Sequence, residues 1–326
     1  MNKVRFRAFF LLFAPVLSVA CAVTACRQRR RPLYEVIPKA QAHVYWQAVH
    51  AGALKAAQEA SVDIIWNGPA TESDYSGQIV ITEDSINRHV DGIEIAPSDK
   101  RALVPVIRQA RDAGIPLTVI DSGVDTDDYV SFVATDNYGG GVLAAHRVAQ
   151  ILGGHGNVAV KALLPGAGST TAREEGFKDT LAKESPEVKI VSFQYGMSDR
   201  SRSLAVTEDI LTAHPTLDGI FASAEPGSIG AAQALKARRL AGKVKLVGFD
   251  SSTSLVEDLR GGSIDSLVVQ EPFQIGYLGL KTLIDERSGR KPPKRIDLPP
   301  TLVTKDNLNE PKIMEILNPQ LERYLH

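Results

Sequence analysis

The chain has only two cysteines in 326 residues, and both, Cys21 and Cys26, fall inside an apolar leader. The rest of the sequence therefore has no disulfide, no thiolate metal site and no cysteine nucleophile. Its seven histidines are scattered, with no pair at metal-ligand spacing, so no metal is expected. HExxH, GxSxG and Walker patterns are all missing, which removes the corresponding metalloprotease, hydrolase and P-loop readings. A formal net charge of -1 offers no broad basic footprint for nucleic acid. There is no coiled-coil repeat and no low-complexity tract. No catalytic residue and no cofactor are expected.

The leader carries its own signal. Lys3, Arg5 and Arg7 precede an apolar run from Ala8 to Val19, the pattern of a secretory signal segment. Val23-Thr24-Ala25-Cys26 resembles a bacterial lipobox, in which the cysteine is acylated, so Cys26 is the expected lipidation site. Ser18-Val19-Ala20-Cys21 fits less well. The alternative is an uncleaved anchor, because Ala8 to Cys26 is nearly long enough to span a bilayer. Arg27, Arg29, Arg30 and Arg31 follow directly, and positive charge there opposes translocation. Either way the body is expected outside the cytoplasm, in the periplasm or on the outer face of a membrane. Residues 1–26 read as the signal segment and 27–32 as a linker.

The full chain is 44% apolar, and its body alternates short apolar strands with helical patterns, which predicts parallel sheets covered by helices on both faces. Two stretches are alike. Asp91-Gly92-Ile93 opens a strand–helix–strand unit that closes at Ile120-Asp121. Asp218-Gly219-Ile220 opens another that closes at Phe249-Asp250. Each ends on an aspartate just past an apolar strand, the edge at which parallel α/β sheets bind ligands. Two lobes, each with an acceptor at that edge, suggest a ligand held in a cleft between them. A helix is expected over Asp99 to Ala113, with Leu103, Val106, Ile107 and Ala110 on its buried side. Lys291 to Pro300, rich in Pro and Lys, reads as a connector. Gly153-Gly154-His155-Gly156 falls between a helix end and a strand start and reads as a C-cap turn. Pro165 to Thr170 lies between a strand and a helix and reads as a loop shaping a cleft wall.

Several segments together resemble a known family, the periplasmic sugar-binding proteins of the ribose-binding type, solute receptors of ABC importers. They are Trp46-Gln47-Ala48-Val49-His50-Ala51-Gly52-Ala53, Ile120-Asp121 and Ala134-Thr135-Asp136-Asn137-Tyr138-Gly139-Gly140. They continue in Ala172-Arg173-Glu174-Glu175-Gly176-Phe177, Val247-Gly248-Phe249-Asp250 and Gln270 with Gln274-Ile275-Gly276. The resemblance covers about residues 33 to 305. It implies a type 1 periplasmic binding fold, two flavodoxin-like α/β lobes with parallel sheets joined by a three-crossover hinge. By the same resemblance the N-terminal lobe holds residues 33–135 and 271–298, and the C-terminal lobe 136–270 and 299–326.

The resemblance also implies a site. Tyr45 and Trp46 stand where family aromatics sandwich a sugar ring. Adjacent residues do not share a helix face, so one of the two can instead belong to the core. His43 stands where a polar contact is common. Asp121 matches an acceptor of sugar hydroxyls and Ser122 its neighbour, an Arg in ribose-type sites. Arg173 matches the cleft Arg of the second lobe, and Asp250 and Gln270 match its acceptor and the hinge amide. Asp250 has an alternative role as N-cap of a helix near Ser252. Ala96 and Ala224 replace asparagines, which deletes paired hydroxyl contacts. Glu225 compensates for Ala224 only if it points inward.

The implied partners are a small carbohydrate or polyol and the membrane permease of an ABC importer, with a lipid anchor and a monomeric body. A sensory receptor needs the same cleft. A repressor of this fold needs a basic DNA-binding segment ahead of Leu33, and the leader is mostly apolar. A sugar-active enzyme would use Asp121 and Asp250 as its carboxylate pair.

Overall fold

The computed structural model describes residues 30–41, 43–318 and 321–325. The expectations for Cys21, Cys26 and residues 1–29 lie outside the described residues. From Pro32 onward the chain forms one compact unit built on two six-stranded sheets.

The first sheet contains β1 (Leu33–Ile37), β2 (Asp63–Trp66), β3 (Gly92–Ile95), β4 (Leu117–Ile120), β5 (Phe132–Thr135) and β11 (Arg295–Leu298). The second contains β6 (Gly156–Ala162), β7 (Val188–Tyr195), β8 (Gly219–Ala222), β9 (Lys245–Phe249), β10 (Ser266–Val269) and β12 (Thr301–Thr304). Their orders are β11-β5-β4-β3-β1-β2 and β12-β10-β9-β8-β6-β7. The two are the same plan used twice: β1 corresponds to β6, β3 to β8, β4 to β9. Every pairing is parallel except β10 with β12, which is antiparallel. Central strands such as β3, β4, β8 and β10 are buried along their whole length, as parallel strands covered on both faces must be. Residue 135 ends a strand of the first sheet and β6 begins the second. The chain returns after β10 and passes over once more between β11 and β12.

Among the described residues ten α-helices cover the sheets: α1 (Val44–Ala60), α2 (Tyr75–Asn87), α3 (Val104–Asp112), α4 (Asn137–Ile151), α5 (Gly168–Glu184), α6 (Arg200–Ala213), α7 (Glu225–Ala237), α8 (Thr253–Gly261), α9 (Pro272–Arg287) and α10 (Pro311–Leu317). Two helix pairs cross at backbone contact. A Cβ on Gly52 of α1 would overlap the Phe273 carbonyl oxygen of α9, and one on Gly276 would overlap that of Val49. The second lobe repeats the device: Gly141 of α4 lies on the Arg173 carbonyl of α5, and Gly176 on that of Tyr138. Only glycine permits such an approach. The second crossing fixes where Arg173 leaves its helix.

Three local expectations are corrected. The helix predicted from Asp99 starts at Val104. Asp99 Oδ1 instead accepts from the Arg101 and Ala102 amides, both at 2.8 Å, holding a turn, and Pro105 sits in the first helical turn, where its missing N–H costs nothing. The connector 291–300 contains β11, an edge strand pairing Arg295–Leu298 with Phe132–Thr135. The loop Pro165–Thr170 is already helical from Gly168.

Candidate functional site

Asp121 and Asp250 occupy equivalent places, one residue past β4 and one past β9. Both have left-handed backbones, with φ of 61° and 68°. Asp and Asn are among the few non-glycine residues that visit this region routinely. Such conformations cost free energy and gather at functional sites. Both carboxylates line one cleft between the sheets, together with Lys39, His43, Tyr45, Trp46 and Glu72 from the first lobe. The second lobe adds Leu163, Ser169, Thr170, Arg173, Ala224, Glu225, Pro226 and Gln270.

On the first-lobe side, the Tyr45 hydroxyl donates to Asp121 Oδ1 at 2.6 Å. Burial of that hydroxyl, with the Asp121 charge beside it, pushes the phenol well above its usual value. Lys39 Nζ lies 2.6 Å from Asp121 Oδ2. Tyr45 and Trp46 meet edge to face, with ring centroids 4.9 Å apart. Trp46 is 2% exposed, so it serves the core as well as the cleft wall. Its Nε1 donates to Glu72 Oε1 at 2.9 Å. His43 precedes the first turn of α1 with extended backbone and no capping bond, and its Nδ1 is 3.8 Å from Glu72 Oε1.

On the opposite side, the buried Arg173 guanidinium lies 3.8 Å above the centre of the Phe249 ring. Its Nε donates to Asn137 Oδ1 at 2.8 Å and one terminal nitrogen donates to the Ser223 carbonyl at 2.9 Å. These bonds go to other helices and loops, not to Glu174 or Glu175. They hold the fork rigid, with donors to spare. Asp250 Oδ1 accepts from Gln270 Nε2 at 2.6 Å, and Oδ2 accepts from the Glu225 amide at 3.0 Å. Gln270 in turn accepts from Thr135 Oγ1 at 2.7 Å, so the hinge amide ties the two sheets together. Burial raises the Asp250 carboxyl while Arg173 opposes the rise. The cap of α8 is Ser252, whose side chain accepts from the Leu255 amide, so Asp250 is free of that role.

The cleft therefore brings together His43, Tyr45, Trp46, Asp121, Arg173, Asp250 and Gln270. Ser122 stands apart. Buried, it does not line the cleft; its Oγ accepts from the Ser169 amide at 2.8 Å and donates to Ser169 Oγ at 3.1 Å. It joins the lobes. Lys39 also reaches Ser169, at 3.2 Å, Ser198 donates to Glu72 Oε2 at 3.0 Å, and the Lys100 amide donates to the Gly166 carbonyl at 3.0 Å. All four contacts run from one lobe to the other, so the lobes are in a closed arrangement.

Sequence reasoning missed Lys39 and Glu72, while Ser169 and Thr170 lie in the segment Pro165–Thr170 that it read as a cleft wall. Neither of the missed pair shows along the chain: Lys39 is buried against Asp121 and Glu72 accepts from Ser198, partners far away in sequence. Glu225, left open by the sequence, lines the cleft. Its Oε1 accepts from Arg200 at 2.6 Å. Burial raises its carboxyl, and the Arg200 and His43 charges oppose the rise. Among the described residues no cluster of metal-ligating side chains occurs.

Comparison with known proteins follows the same outline. The family model described as a periplasmic binding protein domain matches residues 34–291. A D-ribose/D-allose-binding protein of Pseudomonas aeruginosa is 31% identical over 315 residues, covering 90% of this chain and 97% of the relative. A solute-binding protein of Agrobacterium radiobacter in complex with D-arabinose superposes with a TM-score of 0.87 at 34% identity, covering 89% of this chain and all of that one. An ABC transporter solute-binding protein of Agrobacterium vitis with bound D-fucose has a TM-score of 0.85 at 38% identity, covering 87% of this chain and 99% of that one.

Proposed function

Because the chain belongs to the periplasmic binding protein domain family, we propose that it is an extracytoplasmic receptor that captures one small sugar between its lobes and delivers it to the permease of an ABC importer. The observation that carries this reading is the convergence of two strained aspartates, at matching strand ends of two matching sheets, on one cleft. A carboxylate on each side accepts from sugar hydroxyls. Arg173 supplies a rigid fork of donors, and the Tyr45–Trp46 pair offers apolar faces to ring C–H groups. Ligand contacts are assigned to Lys39, His43, Tyr45, Trp46, Asp121, Arg173, Asp250 and Gln270, with Ser122 acting through Ser169. The first lobe comprises residues 33–135 and 271–298, the second 136–270 and 299–326.

The ligand meets both carboxylates only when the lobes close. That difference in affinity shifts the population from open to closed. The bridges from Ser198 to Glu72 and from Ser122 to Ser169 add to the closed form alone. The sugar leaves chemically unchanged, because the site's role is capture.

The test is a thermal-shift series on the leaderless protein with D-ribose, D-allose, D-arabinose and D-fucose, followed by analysis of the recovered sugar. A sugar at about 100 times its dissociation constant stabilises by ~2.7 kcal/mol, and it is expected back intact. No shift with any sugar overturns the receptor reading; a converted sugar replaces it with an enzyme.

A lipid on Cys26 holds the body, a monomer, at the outer face of the membrane. Cys26→Ser is expected to move the protein from the membrane fraction to the soluble one. Retention of the variant in membranes would assign the anchor to Cys21 or to an uncleaved leader.

A further inference from the structure

Glu225 is a cleft carboxylate with an oxygen left over; Asp121 Oδ2, the other cleft oxygen without a hydrogen bond among the described residues, is paired with Lys39 Nζ at 2.6 Å. The Glu225 side chain is 5% exposed. Oε1 is taken by Arg200, while Oε2 is buried and without a hydrogen-bond partner. A buried, unpartnered carboxylate oxygen costs free energy unless something arrives to donate to it. Glu225 opens α7 directly after Ala224, whose methyl makes no polar contact there, and both residues line the cleft. The Glu225 amide is already fixed on Asp250 Oδ2, so the helix start is anchored independently of the side chain. An ionised carboxylate accepts only, so what meets Oε2 must carry a donor.

We propose that Glu225 Oε2 is the specificity-determining acceptor of the second lobe, taking a hydrogen bond from a free hydroxyl at the end of the sugar that faces His43 and Glu225. This rests on the receptor reading above and narrows its ligand class. The cargo is a sugar bearing an unsubstituted hydroxyl at that end; a deoxy or O-alkylated sugar there leaves the oxygen unpaired and is rejected. The small side chain of Ala224 leaves discrimination to the longer Glu225 beside it.

The test uses isothermal titration of the parent protein, Glu225→Gln and Glu225→Ala with D-ribose, D-allose, D-arabinose and D-fucose, and with monodeoxy and O-methyl analogues of whichever sugar binds. Glu225→Asp keeps the charge and withdraws the acceptor by one methylene, so it gives the same readout if the other variants fail to fold. The parent is expected to lose about tenfold or more on the analogue lacking the hydroxyl that reaches Glu225, since a bond to a charged group is worth that much. On that same analogue the variants should bind nearly as the parent does, while on the full sugar they lose about the same factor. A loss spread evenly over the sugar and every analogue, or no loss, overturns the assignment of Glu225 and leaves the receptor reading standing. A parent protein that binds none of the sugars overturns the receptor reading and the inference with it.

Discussion

Arg173→Ala is expected to weaken sugar binding by roughly 10- to 100-fold, since hydrogen bonds to charged groups contribute ~1.5–3 kcal/mol each. The guanidinium is pinned by Asn137, by the Ser223 carbonyl and by the face of Phe249, so little freedom is lost when its remaining donors meet a ligand. Arg173→Lys should not rescue binding, because an ammonium cannot reproduce a planar fork. A second signature separates this role from simple loss of packing. Burial pushes the Asp250 carboxyl up and Arg173 holds it down. Without the guanidinium the carboxyl rises further and is protonated at higher pH. Affinity of the Arg173→Ala protein should therefore begin to fall at a higher pH than that of the parent as the solution is acidified. Titration across pH checks both parts. A lower melting temperature with unchanged affinity would remove Arg173 from the site and leave it only its packing.

The second large effect concerns folding. Glu94 in β3 is fully buried, and neither carboxyl oxygen has a hydrogen-bond partner. It faces Gly279 of α9. Burial alone pushes its carboxyl well above the usual range. The folded protein thus holds this proton more tightly than the unfolded chain does. The stability linked to it is fully present below the ordinary carboxyl value and is lost as pH rises toward the raised value. While Glu94 stays protonated, that loss is about 1.4 kcal/mol per pH unit. Glu94→Gln removes the titration. The variant should gain on the parent as pH rises above the ordinary carboxyl value, and it should show no gain below it. Glu35 and Glu174, each raised to about 7 by burial, keep a slope of the same sign in both proteins. Denaturant midpoints at several pH values measure the difference. Parallel curves would mean that Glu94 is already charged in the folded state.

The alternation of strand and helix was legible because central parallel strands are buried on both faces and read as unbroken apolar runs. β4, Leu117–Ile120, is such a run. β11 was not legible: at the sheet edge Arg295 and Asp297 face solvent, and what makes it a strand is its pairing to β5, 163 residues earlier in the chain. The aspartates were legible because each directly follows an apolar strand. Lys39 and Glu72 were not, since their meaning comes from partners distant in sequence, Asp121 for one and Ser198 for the other. Trp46 satisfied both of its alternatives at once, buried in the core while lining the cleft. Propensity and spacing report on neighbours along the chain, and closure contacts have none.

The left-handed backbones at Asp121 and Asp250 also restrict how this cleft can change over evolutionary time. Few residue types tolerate those torsion angles, chiefly Gly, Asn and Asp, and of these only Asp supplies a charged acceptor. Substitution at the two central positions therefore carries a backbone cost as well as the loss of the charge, which steers change toward their surroundings. Positions 39, 43 and 224, which line the cleft and are free of that backbone constraint, are where a descendant of this protein would acquire a taste for a different sugar.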